Sequence, residues 1–414
     1  MSFYDALETR SADARAADLA RDLPAQIAHA QAAAPALAAH LDGVAPEAVV
    51  DLAALVRLPV LRKASLGARQ AESPPFGGFT AGGPAALRHV FQSPGPIYEP
   101  GGDARDWWRM GRFLHAAGFG PGDVVQNCFS YHLTPAGMMF ENGAAAVGCS
   151  VLPAGVGQTE LQARAAADIG VTAYTGTPDY LKVILDKGAE MGLDLSRIRK
   201  AAVGGGALFP SLRQEYADRG IVCLQGYGTA DLGSIAYESP GPGGEVEGML
   251  VDEGVIVEIV RPGAGDPVPD GEVGEVIVTS FNRDYPLIRF ATGDLSAILP
   301  GASPCGRTAP RINGWMGRAD QTTKIKGMFV RPEQVAELVA RHPEIAKARV
   351  IASRDGEQDA MDVKVEATGA GEGFAAAVEA SVQAVLKLRG AVEVVAPGAL
   401  PNDGKVIEDA RSYD

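Results

Sequence analysis

Residues 171–203 read VTAYTGTPDYLKVILDKGAEMGLDLSRIRKAAV, and the fold class turns on how this stretch is parsed. The short apolar runs at 171–174 and 200–203 read as strands, and residues 180–191 between them read as a helix. Working outward, the same kind of run recurs at 123–129 (DVVQNCF), 150–153 (SVLP) and 221–224 (IVCL), with a second helical pattern at 159–169. Strands alternating with helices imply an α/β sheet with crossover helices, in which ligands bind at the carboxyl ends of the strands.

The flanks differ in texture. Residues 11–41 are rich in alanine and read as helix, with Ser11 and Asp13 available to cap it. Residues 69–102 are rich in Gly and Pro and read as loops around a short apolar segment. After Gly248 the runs GVIVEIV and GEVGEVIVTSF, separated by RPGAGDPVPDG, suggest an antiparallel or barrel-like β subdomain. From about Ala319 onward, strands (ARVIAS, MDVKVEA) mix with helices at 332–340 and 374–387, which reads as a small α+β domain. No repeat period is present.

Composition narrows the function classes. The 414 residues suffice for two or three domains, and 46% apolar with 21% charged residues is ordinary globular usage, neither disordered nor membrane-embedded. Lys and Arg total 37 against 51 Asp and Glu, a formal net charge of -14 that disfavours nucleic acid and anionic lipid as partners. The four cysteines, Cys128, Cys149, Cys223 and Cys305, are far apart without CxxC spacing, which points to free thiols in a reducing compartment and to no zinc. With no signal-like N-terminus and no apolar run of about 20 residues, the expectation is a soluble, cytoplasmic protein.

Two glycine motifs need sorting. Gly204, Gly205 and Gly206 follow an apolar strand, where glycine permits either a tight turn or the close approach of a flat ligand or phosphate. Gly404-Lys405 resembles the end of a P-loop, but Gly398 is one residue too far away and Val406 stands where Ser or Thr would ligate magnesium, so that reading fails.

Three further stretches carry more weight in combination: QGYGTAD at 225–231, YPLIRFATGD at 285–294 and GRAD at 317–320. In this order they resemble the core motifs of adenylate-forming enzymes, the superfamily of acyl-CoA synthetases, luciferases and peptide-synthetase adenylation domains. YDALETRSADARAADLARDL at 4–23, LVRLPVLRK at 55–63, GFGPGDVVQN at 118–127 and LPNDGK at 400–405 resemble its phenylacetate-CoA ligase branch in particular. The likeness extends over nearly the whole chain.

The resemblance implies an α/β fold with a large AMP-binding domain at residues 1–318 and a small mobile α+β lid at 319–414. It assigns Gly204, Gly205, Gly206, Tyr227, Gly228 and Thr229 to the nucleotide and acyl pocket, Asp294 to the ribose hydroxyls and Arg318 to the nucleotide. Asp320 becomes the hinge, and Gly327 falls where the pantetheine of coenzyme A enters. Lys405 matches the catalytic lysine that reaches the α-phosphate, and Asp231 the carboxylate that holds magnesium. Tyr131, His132, Ile235 and Ala236 are expected to line a flat, apolar acyl site suited to an aromatic acid.

The implied activity is that of an acid–thiol ligase: ATP, with magnesium, activates a carboxylic acid as an acyl-adenylate, and coenzyme A takes the acyl group. ATP or AMP, magnesium and coenzyme A are the expected cofactors, the acid is the expected small-molecule partner, and relatives suggest a homodimer. Departures from the pattern keep two alternatives open, a non-catalytic nucleotide or acyl binder and an acyltransferase that uses preformed acyl-adenylate. The family's phosphate loop ends in Lys-Pro, whereas residues 91–100 here read FQSPGPIYEP, with Glu99 before Pro100 and three prolines that lack an N–H. Ala230 replaces Ser or Thr, and Asp231 replaces Glu, which keeps an oxygen ligand but shortens its reach. Around Cys305, SPC at 303–305 and Tyr237-Glu238 leave at most one ligand for zinc, below the usual four.

Overall fold

The structure is a computed structural model, and it describes residues 2–94, 96–319, 321–325, 328–355 and 358–411. The chain forms two compact units, the first comprising Met1–Val257, Val278–Phe290 and Leu299–Gly314, the second Glu258–Ile277, Ala291–Ile298 and Trp315–Asp414. The boundary expected between residues 318 and 319 falls inside the second unit.

In the first unit a sheet runs in the order Arg311–Ile312, Met249–Val251, Gly233–Tyr237, Val222–Thr229, Lys200–Val203, Ala173–Gly176, Val124–Asn127, Ser150–Pro153. From Val222–Thr229 to Ser150–Pro153 the neighbours are parallel, and the rest of the run is antiparallel. Helices Ala136–Ala146, Thr159–Ile169, Pro178–Glu190 and Pro210–Asp218 make the crossovers. Side chains alternate between two cores: Ala173, Ala202 and Leu224 join Phe113 and Phe140 on one face, while Tyr174, Ala201, Val203 and Cys223 join Leu181 and Ile184 on the other. Burial on both faces is why these strands read as unbroken apolar runs.

The crossover helices follow from their spacing and ends. Thr159–Ile169 matches its expected span, and Pro178–Glu190 begins at a proline, which suits a first helical turn, and buries Leu181, Ile184, Leu185 and Gly188. Near the N-terminus, Ser11 Oγ accepts the Ala14 N–H at 3.1 Å and caps helix Ala12–Ala33. The expected single helix to Leu41 is interrupted at Ala34, held extended ahead of Pro35, and resumes as Pro35–His40.

Residues 69–102 depart further from the expected loops. Helix Lys63–Glu72 extends into them, and His89–Ser93 pairs antiparallel with Ile97–Gly101 as a hairpin, so the loop read at 91–100 is two strands and a turn. Gln70 secures the hairpin's edge, donating to the Tyr98 carbonyl and accepting its N–H, each at 2.8 Å. A two-stranded ribbon has open edges on both sides, which is what lets Pro100 sit within a strand.

Strands Val255–Val260, Gly274–Ser280 and Phe290–Ser296 lie side by side in a further sheet, consistent with the β texture after Gly248, and each continues from one unit into the other. The second unit holds a sheet in the order Ala391–Val395, Gln358–Ala367, Ile345–Asp355, Ile407–Asp409. The central pair is antiparallel and both outer strands run parallel to their neighbours. Helices Pro332–Ala340 and Phe374–Leu386 bury Val335, Leu338, Val378 and Val382 against Val350, Val363 and Val365, the α+β arrangement expected here. Among the described residues, no helix is long and apolar enough to cross a membrane.

Candidate active site

Strand Lys200–Val203 ends at the glycines, and Gly205 takes φ +68°, a conformation that strains any side chain with a Cβ. Beside it, Val222–Thr229 brings Tyr227, Gly228 and Thr229 to the same end of the sheet. Between them opens a cavity of about 210 Å³ whose wall includes Gly204, Gly205, Gly226, Tyr227, Gly228, Thr229 and Ala230. The rest of the wall is aromatic and aliphatic, from Phe113, Phe129, Met139 and Phe140, with the rings of Phe129 and Phe140 stacked at 4.3 Å. Ser93, Thr134, Thr229 and Ser234 are its hydroxyl-bearing residues besides Tyr227, and among the described residues no charged side chain lines it. A dry apolar cavity of about 150 Å³ holds benzene, so this one has room for a ring and a short substituent.

Five of the residues expected at the pocket are thus brought together: Gly204, Gly205, Tyr227, Gly228 and Thr229. Gly206 lies outside the wall, its carbonyl accepting from Gln225 Nε2 at 2.9 Å. The four expected acyl-site residues are also elsewhere. Ile235 and Ala236 are fully buried in their strand. His132 is exposed. Tyr131 is half-buried with its hydroxyl accepting from Asn127 Nδ2 at 2.7 Å, and burial, with Glu141, pushes its proton affinity up. Strand Gly233–Tyr237 reaches the cavity through Ser234 instead, and the wall opposite is built by Phe129 and helix Ala136–Ala146.

Next to Ala230, Asp231 is 4% exposed, with Oδ2 paired to Lys63 Nζ at 2.6 Å and Oδ1 without a hydrogen-bond partner among the described residues. Lys63 comes from the helix that follows LVRLPVLR, and no local signal marks it as Asp231's partner, since the two are 168 positions apart. Glu99 stands nearby on the hairpin, 0% exposed, and neither of its oxygens meets a donor in hydrogen-bonding geometry among the described residues. Burial, then the charge of Asp231, pushes the Glu99 carboxyl up to about 7, against the pull of Ser93 and Lys63. The Tyr285 hydroxyl, also buried and without a hydrogen-bond partner among the described residues, is raised by burial and by both carboxylates. The orphaned Asp231 Oδ1 fits magnesium, an ion bound by one or two carboxylates with phosphate and water completing its shell. Lys63 competes for the other oxygen.

In the second unit, Asp294 is buried and Oδ1 accepts from Arg318 Nη1 at 2.8 Å and from Trp315 Nε1 at 3.1 Å. The expected ribose ligand and nucleotide arginine therefore form one ion pair. Lys405 is exposed on the segment before Ile407–Asp409. Asp320 and Gly327 lie outside the described residues.

Comparison with known proteins identifies the family. The family described as AMP-binding enzyme matches residues 105–282. The chain is 30% identical over 343 residues to the phenylacetate-coenzyme A ligase of Aromatoleum evansii, covering 78% of this chain and 74% of that one. It is 29% identical over 384 residues to the enzyme of the same name from Escherichia coli K12, covering 87% and 84%. Among solved structures, an open conformation of 2-hydroxyisobutyryl-CoA ligase in complex with 2-HIB-AMP and CoA shares the fold, with a TM-score of 0.71 at 23% identity over 95% of this chain and 91% of that one. The chain belongs to the phenylacetate-coenzyme A ligase family of AMP-binding enzymes.

Proposed function

We propose that this protein is an AMP-forming acid–thiol ligase that converts an aromatic carboxylic acid into its coenzyme A thioester. The observation that carries the aromatic assignment is the charge-free cavity walled by Phe113, Phe129, Met139 and Phe140 beside the glycines of two adjacent strands. A ring gains from burial against such a wall, whereas a second carboxylate would find no cation there to offset its desolvation.

Chemistry proceeds in two displacements. A carboxylate is a poor acyl donor; its oxygen attacks the α-phosphorus of ATP, pyrophosphate leaves, and the acyl-adenylate forms. The thiol of coenzyme A then attacks the acyl carbon, AMP leaves, and the thiol proton passes to solvent. In the first step Lys405 supplies a cation to the α-phosphate, and Asp294 and Arg318 hold the ribose and nucleotide. Magnesium bound through Asp231 would neutralise phosphate charge. Asp320 serves as hinge and Gly327 as the entry point for pantetheine, so that one lid presents Lys405 and Gly327 in turn. The four free cysteines support a cytoplasmic setting. A homodimer follows from the resemblance, and light scattering reads it directly.

One observation favours a second reading. Glu99, buried beside Asp231, opposes the approach of a triphosphate, which suits an acyltransferase fed with ready-made acyl-adenylate. Pyrophosphate release from ATP across a panel of acids separates the two. The ligase releases pyrophosphate with aryl acids; the acyltransferase releases none and forms thioester only from supplied adenylate. A screen won by short aliphatic or dicarboxylic acids would overturn the aromatic assignment.

A further inference from the structure

Lys405 lies on a segment, residues 400–406, that has no helix or strand of its own. A lysine on an untethered loop spreads its amine over many positions, yet the backbone here is held from several directions. Arg349, on strand Ile345–Asp355 and with its side chain 4% exposed, spends its whole guanidinium on this segment and its immediate neighbour. Nε donates to the Lys405 carbonyl at 3.1 Å, Nη1 to Glu408 Oε2 at 3.1 Å, and Nη2 to the Pro401 carbonyl at 3.4 Å and to the Asp403 carboxylate. Asp403 Oδ1 in turn accepts the Lys405 N–H at 3.0 Å.

Gln321 adds a second clamp. Its Oε1 accepts the N–H groups of Val406 and Ile407 at 2.6 and 2.8 Å, and its Nε2 donates to the Gly404 carbonyl at 3.0 Å. Gly404 itself adopts φ +68°, and a Cβ there would come within 2.7 Å of Val273. Backbone atoms on both sides of Lys405 are thereby fixed, while its side chain is exposed and makes no ion pair among the described residues. This is the arrangement of a presented cation: a rigid base and a free tip.

We propose that Arg349 is a positioning residue for adenylation, acting through Lys405, with Gln321 as its partner in the clamp. The inference rests on the role given to Lys405 above. The planar fork is what the geometry needs, because one group reaches two carbonyls and two carboxylates at once, which a lysine ammonium cannot do from the same Cα. Arg349→Lys keeps the charge and loses the fork.

The test compares the two half-reactions in single turnover: pyrophosphate release from ATP with acid, and thioester formation from supplied acyl-adenylate. In Arg349→Lys we expect adenylation to slow by about fivefold or more, with KM for ATP and acid little changed and the thioester step within about twofold of the parent. A smaller adenylation loss, or equal loss of both steps, overturns the proposal. If Arg349→Lys melts below the assay temperature, Gln321→Ala is read by the same split and the same thresholds. Lys405→Ala is the benchmark: if it leaves adenylation intact, the role assigned to Lys405 falls, an outcome seen without any Arg349 variant. If it abolishes adenylation while the clamp variants lose nothing, only the positioning role falls.

Discussion

Burial, then the charge of Asp231, raises the Glu99 carboxyl to about 7, while in the unfolded chain it would titrate in the ordinary carboxylate range. A pKa raised by folding means that the native state binds the proton more tightly, so stability falls as pH rises between the unfolded and folded values. A shift of this size corresponds to roughly 3 kcal/mol, lost over about pH 4.5 to 7. Glu99→Gln removes that term, so the variant should gain 1 to 3 kcal/mol, order of magnitude, over the parent at pH 8, and the gain should shrink toward pH 5. Urea unfolding at both pH values measures it, and an identical difference at the two would contradict the assignment. Asp231, Lys63, Ser93 and Tyr285 are the groups that face Glu99, so the same variant reports on function. The parent should bind AMP more tightly than ATP in calorimetry, and Glu99→Gln should narrow that gap, because one negative charge has left the phosphate end. Glu99 and Asp231 could be singled out in sequence as departures from a family pattern. Their burial and the Lys63 pairing could not, since these depend on residues brought together from three distant segments.

At the level of elements, the cavity proposed for the acyl group lies where the parallel strands Lys200–Val203 and Val222–Thr229 end, with helix Ala136–Ala146, Phe113 and Ser234 completing its wall. Ala136, on the first turn of helix Ala136–Ala146, lines the cavity without being fully buried in the core. Ala136→Leu should fill the space with little loss of stability, raise KM for an aryl acid by about tenfold, and leave ATP binding unchanged. An unchanged KM would move the acyl site away from this cavity. The strands of this wall were legible because burial on both faces writes continuous apolar runs, as at 171–174 and 200–203. Side-chain direction was less so. Ile235 is apolar enough for an acyl pocket, yet its neighbour Ser234 lines the cavity, and a shift of one residue along a strand exchanges its two faces; Ala236, two residues beyond Ser234, is fully buried and lies outside the wall. The hairpin of His89–Ser93 and Ile97–Gly101 was hidden for another reason: Pro94, Pro96 and Pro100 mark a loop by local rules, and while Pro94 and Pro96 do lie between the strands, Pro100 sits within one, which the open edge of a two-stranded ribbon admits.

Over the whole molecule, the chain order hides the division into units. Strands Val255–Val260, Gly274–Ser280 and Phe290–Ser296 run through both, so a boundary drawn where composition changes, near residue 319, captures the C-terminal α+β region and misses the segments Glu258–Ile277 and Ala291–Ile298 that cluster with it. The pairing of Asp294 with Arg318 within that unit could be anticipated only as two separate nucleotide ligands. Lys405→Ala should remove a cation that stabilises charge on the α-phosphate, with a barrier increase of about 3 kcal/mol, roughly a hundredfold slower adenylation, and a thioester step that survives on supplied acyl-adenylate. Equal loss of both steps would place Lys405 outside the phosphate chemistry. The most direct test of the central claim is a product balance for the parent protein with ATP, magnesium, coenzyme A and an aryl acid such as phenylacetate. The ligase reading requires pyrophosphate, AMP and aryl thioester in equal amounts, and formation of AMP that stops when the acid is withheld. Nucleotide binding with none of the three products, from any acid of the panel, would contradict it.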